Sequence, residues 1–172
     1  APELFPVEEL KHVSIQVLEE AGQKALQYST TEGYEPLRRQ IAQRMQQKFR
    51  TSFQGDDILI TSGSQQALDL LGKVFLDEDD VVLCESPTYL AALSAFRAYR
   101  PRFIEVPTDE EGMVPEALEH ILQTTQHIKF AYVIPDFQNP TGKTWSPSRR
   151  QAFMNLINKY QLPTIEDNPY GE

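Results

Sequence analysis

The segment 129–142 reads KFAYVIPDFQNPTG, and the fold prediction starts from it. An aromatic and β-branched run leads directly into a turn rich in proline, asparagine and glycine, as expected for a strand that ends in a defined loop. Because consecutive positions in the run are apolar, both faces of this strand are expected to be buried. The segment therefore predicts an inner strand of a sheet that is covered on both sides.

Similar short runs alternate with helical patterns over the rest of this part of the chain. The predicted strands are 58–61, 81–84, 103–106, 129–134 and 163–166. The predicted helices between them are 65–75, 89–99, 115–123 and 147–160. Strand-helix alternation indicates a mostly parallel sheet. We therefore expect an α/β fold with helices on both faces of the sheet, a three-layer α/β/α arrangement.

The beginning of the chain predicts helices only. Apolar residues recur at three- and four-residue steps from Val7 to about Gln27, and a second amphipathic stretch runs from Pro36 to Phe49. We expect a helical N-terminal segment over residues 1–54 that leads into a large domain over residues 55–172. The opening residues lack an initiator Met and read as the middle of a loop, so the natural chain is expected to start upstream.

Composition narrows the classes of function. The 172 residues carry 25 acidic and 16 basic side chains, a formal charge of −9. Nucleic acid is not an expected partner of this segment, because phosphate binding needs a basic surface. No apolar run approaches the ~20 residues of a membrane span, and the N-terminus has no signal-peptide pattern. We expect a cytoplasmic protein without a membrane partner.

Cysteine and histidine usage gives no metal site and no disulfide framework. Cys84 is the only cysteine and lies in an apolar run, which is typical of a buried thiol in a reducing compartment. His12, His120 and His127 lack the spacing that places two ligands on one helical face. We expect no bound metal.

Polar residues follow the predicted strands at their carboxyl ends, where ligands bind in such sheets. Ser64 and Gln65 follow a glycine turn at a helix start, which suits a phosphate group but equally an ordinary capped turn. Tyr89 could stack on a flat ligand or pack in the core. Asn139, in a proline-glycine loop, presents an amide that both donates and accepts hydrogen bonds. Each residue alone has an ordinary structural explanation.

The order of these segments resembles a known family. Segments 62–68 (SGSQQAL), 86–89 (SPTY), 139–142 (NPTG) and 166–170 (EDNPY), preceded by Tyr28 and Gly33, resemble the class I/II aminotransferases of pyridoxal-phosphate (PLP) fold type I. The resemblance spans nearly the whole chain. Segments 135–142 and 33–38 are most similar to the 2-aminoadipate/kynurenine aminotransferase group and to the aminotransferase-like domain of MocR-type GntR regulators. The resemblance implies that this chain forms part of the large domain of a PLP-dependent transferase.

The resemblance also implies roles for single residues. Ser64 and Gln65 match positions that bind the PLP phosphate, and Tyr89 matches the aromatic residue stacked on the ring. Asn139 and Tyr170 match residues that hydrogen-bond the phenolic oxygen of the cofactor.

Two further matches concern the reaction chemistry and the oligomeric state. Asp167 matches the carboxylate that pairs with the pyridine nitrogen, which makes the ring an electron sink. Tyr28 matches a tyrosine that reaches the active site of a neighbouring subunit, so the resemblance implies a homodimer. The family's cofactor-linking lysine lies beyond the Asp-x-x-Tyr strand, and Lys73, Lys129 and Lys143 do not match it. We therefore expect this lysine, and the arginine that binds the substrate carboxylate, outside this chain.

Two functions remain open at this stage. The first is an aminotransferase acting on an amino acid and a 2-oxo acid, with this chain as an inactive part of it. The second is the effector-sensing domain of a MocR-type transcription factor, with a DNA-binding domain before Ala1. A nicotinamide-linked dehydrogenase ranks below both functions, because the glycine-rich fingerprint after the first strand is absent. Aminoadipate, aromatic and branched amino acids are all open as substrates at this stage.

Overall fold

A computed structural model describes residues 4–171. The chain divides into two compact units, Ala1–Thr61 and Ser62–Glu172. The first unit is helical and the second contains the sheet, so each is described by itself.

Over residues 6–61, the first unit contains two helices and two short 3-10 turns. Helix α1 spans Val7–Ala21 and is followed by a 3-10 turn at Gly22–Leu26. Helix α2 spans Glu35–Phe49 and has Pro36 in its first turn, where backbone N–H groups have no partner within the helix, so the missing N–H of proline costs no hydrogen bond. A second 3-10 turn covers Gly55–Asp57. Helix α1 has no buried residue.

Two predictions for this unit are wrong. The first helix does not continue to Gln27, because Gly22 adopts a positive φ of 44° that a right-handed helix cannot contain. Segment 58–61 is not a strand. A strand needs a neighbour for its hydrogen-bond ladder, and none pairs with this segment among residues 4–171; the N–H of Ile60 instead donates to the carbonyl of Glu32 at 3.0 Å.

The second unit is a five-stranded sheet with helices between the strands. Its strands are β1 Val81–Ser86, β2 Arg102–Asp109, β3 Gly112–Met113, β4 Ile128–Val133 and β5 Thr164–Glu166. Its helices are α3 Ser64–Phe75, α4 Leu90–Arg97, α5 Pro115–Thr124 and α6 Pro147–Tyr160.

The sheet is mostly parallel, as predicted. Its strand order is β3-β2-β1-β4-β5. Strand β1 pairs in parallel with β2 and β4, and β4 pairs in parallel with β5. Only β3 is antiparallel, where it forms a hairpin with β2. The sequence analysis missed β3 because two residues are too few to show an alternating pattern.

Helices cover both faces of the sheet, which confirms the α/β prediction. One face packs on α5 and α6, through residues that include Val81, Leu83, Leu118, Phe153 and Ile157. The other face forms the α3–α4 cluster, which consists of Leu68, Leu76, Val82, Ala92, Phe96, Phe130, Tyr132 and Ile134. Neighbouring residues of one strand point to opposite faces, so β1 supplies both. Each fully buried apolar side chain contributes about 1.5–3 kcal/mol.

The single cysteine is buried, as predicted. Cys84 is a free thiol on β1 that is 1% exposed. Burial, together with the nearby carboxylates of Glu105 and Glu85, raises its pKa to about 12, so the thiol keeps its proton. No group of metal-binding side chains occurs among the described residues. None of the helices within residues 4–171 has the length and apolar character needed to cross a membrane.

Candidate functional site

The candidate site lies where the parallel strands end. In the register of β1 and β4, Cys84 lies next to Tyr132. In the register of β4 and β5, Val133 lies next to Glu166. Neighbouring strands in a sheet lie about 4.8 Å apart. The loops that follow β1, β4 and β5 therefore leave the sheet at the same edge.

Asp167 is the first residue after β5 and is held at two points. Its backbone N–H donates to the carbonyl of Val133 at 2.9 Å. Its side-chain Oδ2 accepts a hydrogen bond of 2.7 Å from the hydroxyl of Tyr132. Burial of Tyr132, and secondly the hydrogen bond to Asp167, raise the pKa of this phenol well above its ordinary value. Tyr132 is therefore a hydrogen-bond donor to the carboxylate.

Tyr89 lies at the start of α4, on the loop that follows β1. Its ring is half-buried and packs against the α3–α4 cluster, which also contains Tyr132. The adjacent Thr88 has a buried hydroxyl group without a hydrogen-bond partner among the described residues. Buried hydroxyl groups normally form hydrogen bonds, so this one can still form a hydrogen bond to a polar group of a ligand.

The loop after β4, residues 134–146, is named the Asn139 loop and is hydrogen-bonded to the loop after β1. Asn139 is exposed, whereas the side chain of its neighbour Gln138 is buried. Gln138 Nε2 donates to the carbonyl of Pro87 at 2.7 Å, and its Oε1 accepts from the backbone N–H of Thr141 at 2.9 Å. Gln138 therefore fixes the Asn139 loop close to the segment that leads to Tyr89.

A buried carboxylate holds the two ends of the Asn139 loop. Glu85, on β1, is 1% exposed. Its Oε2 accepts from the backbone N–H of Ile134, and its Oε1 accepts from the indole N–H of Trp145, both at 2.9 Å. Burial raises the pKa of Glu85, while the hydrogen bonds from Ile134, Trp145 and Gln138 oppose that rise.

The loops after β4 and β5 also contact each other. Tyr170 is exposed, and its ring packs edge-to-face on Phe137 with 6.3 Å between the ring centres. Asn168 Nδ2 donates to Asp136 Oδ2 at 2.7 Å. These contacts hold Tyr170 beside the Asn139 loop.

Helix α3 brings its N-terminus to the same region. The residue before it, Gly63, has a φ of 95°, a conformation that glycine adopts most readily, and provides no side-chain cap. Ser64 and Gln65 begin the helix and are exposed. One turn later, Leu68 packs in the α3–α4 cluster with Tyr132. A helix N-terminus of this kind attracts anions through its N–H groups and dipole.

The sequence pattern of the family described as "Aminotransferase class I and II" matches residues 2–172. The chain belongs to this family. The match includes both units and all the strand-end segments described above, so family membership does not depend on any single motif.

Several aminotransferases are similar to this chain over its whole length. The aromatic-amino-acid aminotransferase 1 of Thermococcus litoralis is 46% identical over 176 residues. The 2-aminoadipate transaminase of Thermus thermophilus is 46% identical over 172 residues. A crystal structure of Pyrococcus horikoshii kynurenine aminotransferase, in complex with PMP, superposes with a TM-score of 0.92 at 43% identity and covers 99% of this chain. The match covers 42% of each of the two relatives and 43% of that structure.

A regulator is also similar to this aminotransferase-family chain. The uncharacterized HTH-type transcriptional regulator YisV of Bacillus subtilis is 34% identical over 172 residues, and the match covers 35% of its length. Both groups named by the sequence resemblance, enzymes and regulators, are therefore among the relatives.

The aminotransferase fold brings most of the predicted site residues to one edge of the sheet. Tyr89, Asn139, Asp167 and Tyr170 all follow the carboxyl ends of β1, β4 or β5. Tyr28 belongs to the first unit, where its side chain is fully exposed.

The sequence analysis missed the buried polar side chains behind these residues, namely Tyr132, Glu85 and Gln138. One signal was available for Tyr132, because a tyrosine inside an apolar strand needs a partner for its hydroxyl group. The partner itself, 35 positions away in the chain, could not be found from a local pattern.

Proposed function

We propose that the complete protein is a PLP-dependent aminotransferase that moves an amino group between an amino acid and a 2-oxo acid. The observation that carries this proposal is the Asp167 carboxylate, held by Tyr132 at the carboxyl edge of a parallel sheet. A fixed carboxylate at that position can keep a ring nitrogen protonated.

The chemistry of the site fits the cofactor. PLP has a phosphate, a flat ring with a basic nitrogen, and a phenolic oxygen. The N-terminus of α3 offers exposed N–H and hydroxyl groups for an anion, and the half-buried ring of Tyr89 offers a flat apolar surface. The residue before Tyr89, Thr88, has a buried hydroxyl group without a hydrogen-bond partner among the described residues. The relatives support the fit, since the Pyrococcus horikoshii structure contains PMP.

In this proposal, each predicted residue has one task. Ser64 and Gln65 bind the phosphate, and Tyr89 stacks on the ring. Asn139 and Tyr170 donate hydrogen bonds to the phenolic oxygen. Asp167 holds a proton on the ring nitrogen. The bound cofactor supplies the electron sink for the pair of electrons left when the substrate Cα loses its proton. We assign the covalent link to no residue of this chain.

The substrate class follows from the relatives only in outline. Their names specify aromatic amino acids, 2-aminoadipate and kynurenine. These substrates share an α-amino acid group and differ in the side chain. We propose an amino acid with a large side chain and a 2-oxo acid as the two substrates.

We also propose a cytoplasmic homodimer in which Tyr28 serves the site of the partner subunit. Helix α1 supports this assembly, because it has no buried residue and exposes Leu10, Val13 and Leu18 by about half. The free thiol of Cys84 suits a reducing compartment. Residues 1–54 would then lead into a cofactor-binding domain over 55–172.

The alternative function is that of the effector-sensing domain of a MocR-type regulator. The identity of 34% with YisV supports it. The same cofactor site serves both functions, so the site does not separate them. A basic helix-turn-helix encoded before Ala1 would favour the regulator, and a short upstream segment would favour the enzyme.

Transaminase activity of the complete protein, with and without added PLP, tests the proposal. We expect PLP-dependent turnover and a decrease of roughly 100-fold or more in kcat for Asp167→Asn, because loss of one preorganised electrostatic contact to the reacting system has effects of that size. The matched control is Asp69→Asn, since Asp69 also accepts a hydrogen bond from a tyrosine, Tyr99, at 2.9 Å. Equal kcat values for the two variants would contradict the proposed role of Asp167.

A further inference from the structure

Tyr132 places a hydroxyl group inside an otherwise apolar cluster. Its side chain is fully buried on β4, and its ring packs edge-to-face on Phe96 with 5.8 Å between the ring centres. The surrounding side chains of the α3–α4 cluster are all apolar. A phenylalanine would fill the same space, so packing alone does not require the hydroxyl group.

The hydroxyl group fixes one oxygen of Asp167. Its hydrogen bond of 2.7 Å to Oδ2, and the backbone bond from Asp167 to Val133, hold the residue at both its side chain and its main chain. With Oδ2 engaged by the Tyr132 hydroxyl, Oδ1 is the carboxylate oxygen that remains for another donor. A carboxylate without such a donor could rotate about its terminal bond, which has a broad torsional preference.

The surroundings keep Tyr132 in the donor form. Three titratable groups act on its hydroxyl: Asp167 after β5, Tyr89 before α4 and Glu85 on β1. Each of them, together with burial, raises the pKa of the phenol. Tyr132 therefore keeps its proton around neutral pH and donates it in the hydrogen bond to Asp167.

We propose that Tyr132 is a positioning residue for the cofactor ring: its hydroxyl holds Asp167 Oδ2 so that Oδ1 faces the ring nitrogen. The inference rests on the proposed function, because it needs a cofactor at Asp167. Tyr132 does not itself touch the cofactor, and it acts through the carboxylate alone.

The test is a double-mutant cycle in the complete protein with PLP as the ligand. Four proteins are compared: the wild type, Tyr132→Phe, Asp167→Asn and the double variant. Tyr99→Phe is the matched control, since it removes a hydroxyl that donates to Asp69. The measurements are the PLP dissociation constant by absorbance, kcat and KM for the amino acid, and the melting temperature without PLP.

We expect Tyr132→Phe to weaken PLP binding and to lower kcat by roughly tenfold. A change of this size is expected from the loss of one hydrogen bond to a charged group. KM should change little, since the amino acid does not contact Tyr132. In the Asp167→Asn background the same substitution should have almost no further effect on PLP binding. Tyr99→Phe should leave the PLP dissociation constant and kcat at the wild-type values.

A purely structural role gives a different result. Tyr132→Phe would then lower the melting temperature but leave PLP binding unchanged, or weaken it equally in the Asp167→Asn background, and either outcome overturns the inference. If Tyr132→Phe does not fold, Asp167→Glu replaces it: moving the carboxylate by one methylene should weaken PLP binding similarly, and unchanged binding would overturn the inference. A wild type that does not bind PLP overturns the proposed function itself.

Discussion

Glu85 shows what a single buried side chain contributes to the site. Two donors, the backbone N–H of Ile134 and the indole of Trp145, point at its two oxygens. They lie at the two ends of the Asn139 loop. A carboxylate has two acceptor oxygens, one for each donor, whereas a neutral amide side chain has only one acceptor oxygen.

Glu85→Gln should therefore destabilise the protein although it removes a buried charge. The glutamine has one oxygen, so its NH₂ group must face one of the two donors, which is then unpaired. We expect the free energy of unfolding to fall by about 1–3 kcal/mol, measured by urea denaturation. Glu116→Gln, on an exposed position of α5, is the control and should change it by less than about 0.5 kcal/mol. An equal effect of both substitutions would contradict this role of Glu85.

The pH dependence of this residue has a definite sign. Burial raises the pKa of Glu85 above its ordinary value of 4.5, so the folded state binds its proton more tightly than the unfolded state. This contribution to stability is present below pH 4.5 and is lost as the pH rises through the folded-state pKa. The difference in unfolding free energy between wild type and Glu85→Gln should show this decline on going up from pH 4.5. A flat difference would show that burial does not dominate the pKa of Glu85.

Residues differ in how far a sequence predicts their surroundings. Asp167 and Asn139 were predicted as site residues because their segments resemble the family's motifs and lie in loops at strand ends, where ligands bind in such sheets. Glu85 and Tyr132 lie inside strands, and a strand pattern does not specify the partner of a buried polar side chain. Their hydrogen bonds to Trp145 and Asp167 connect residues that are 60 and 35 positions apart.

At the scale of elements, prediction succeeded where the period was long and regular. Helix α6 begins and ends at the predicted residues, and the side chain of Ser146 caps it by accepting from the N–H of Arg149. Strand β4 was found from its apolar run. Segment 58–61 has the composition of a strand but lacks a neighbour, and only a sheet partner turns such a run into a strand.

Helices α3 and α4 approach closely at a glycine. A β-carbon on Gly72 would lie 2.7 Å from the ring of Tyr99 and 3.3 Å from that of Phe96. Within a helix, Gly→Ala normally stabilises by up to about 1 kcal/mol.

Here we expect the opposite sign. Gly72→Ala should lower the free energy of unfolding by about 1–3 kcal/mol, the usual effect of overpacking. Thermal or urea unfolding measures it, with Lys73→Ala on the exposed side of the same helix as the control. If Gly72→Ala stabilised the protein, the close approach of α3 and α4 would be wrong.

At the scale of the whole molecule, the proposed homodimer makes a prediction about Tyr28. If this tyrosine serves the partner's site, then co-expression of Tyr28→Phe and Asp167→Asn chains gives mixed dimers in which both defects fall in one site and the other site is native. Random pairing makes half of the dimers mixed, and one of the two sites in each mixed dimer is native. About a quarter of all sites should therefore be active, and the activity should be about a quarter of the wild-type value. Each variant alone should be nearly inactive.

The opposite arrangement gives a distinct outcome. If Tyr28 serves its own subunit, every site in the mixed dimers carries one defect. The mixture would then be no more active than the average of the two pure variants. A monomeric protein in light-scattering measurements would contradict the dimer directly.

The central claim is that the carboxyl edge of this sheet binds PLP through the α3 N-terminus and Asp167. A crystal structure of the complete protein with PLP tests it most directly. The account predicts the phosphate at the N–H groups of Ser64 and Gln65, the ring against Tyr89, and the ring nitrogen about 3 Å from Asp167 Oδ1. A cofactor bound elsewhere, or one whose ring nitrogen does not contact Asp167, would contradict it.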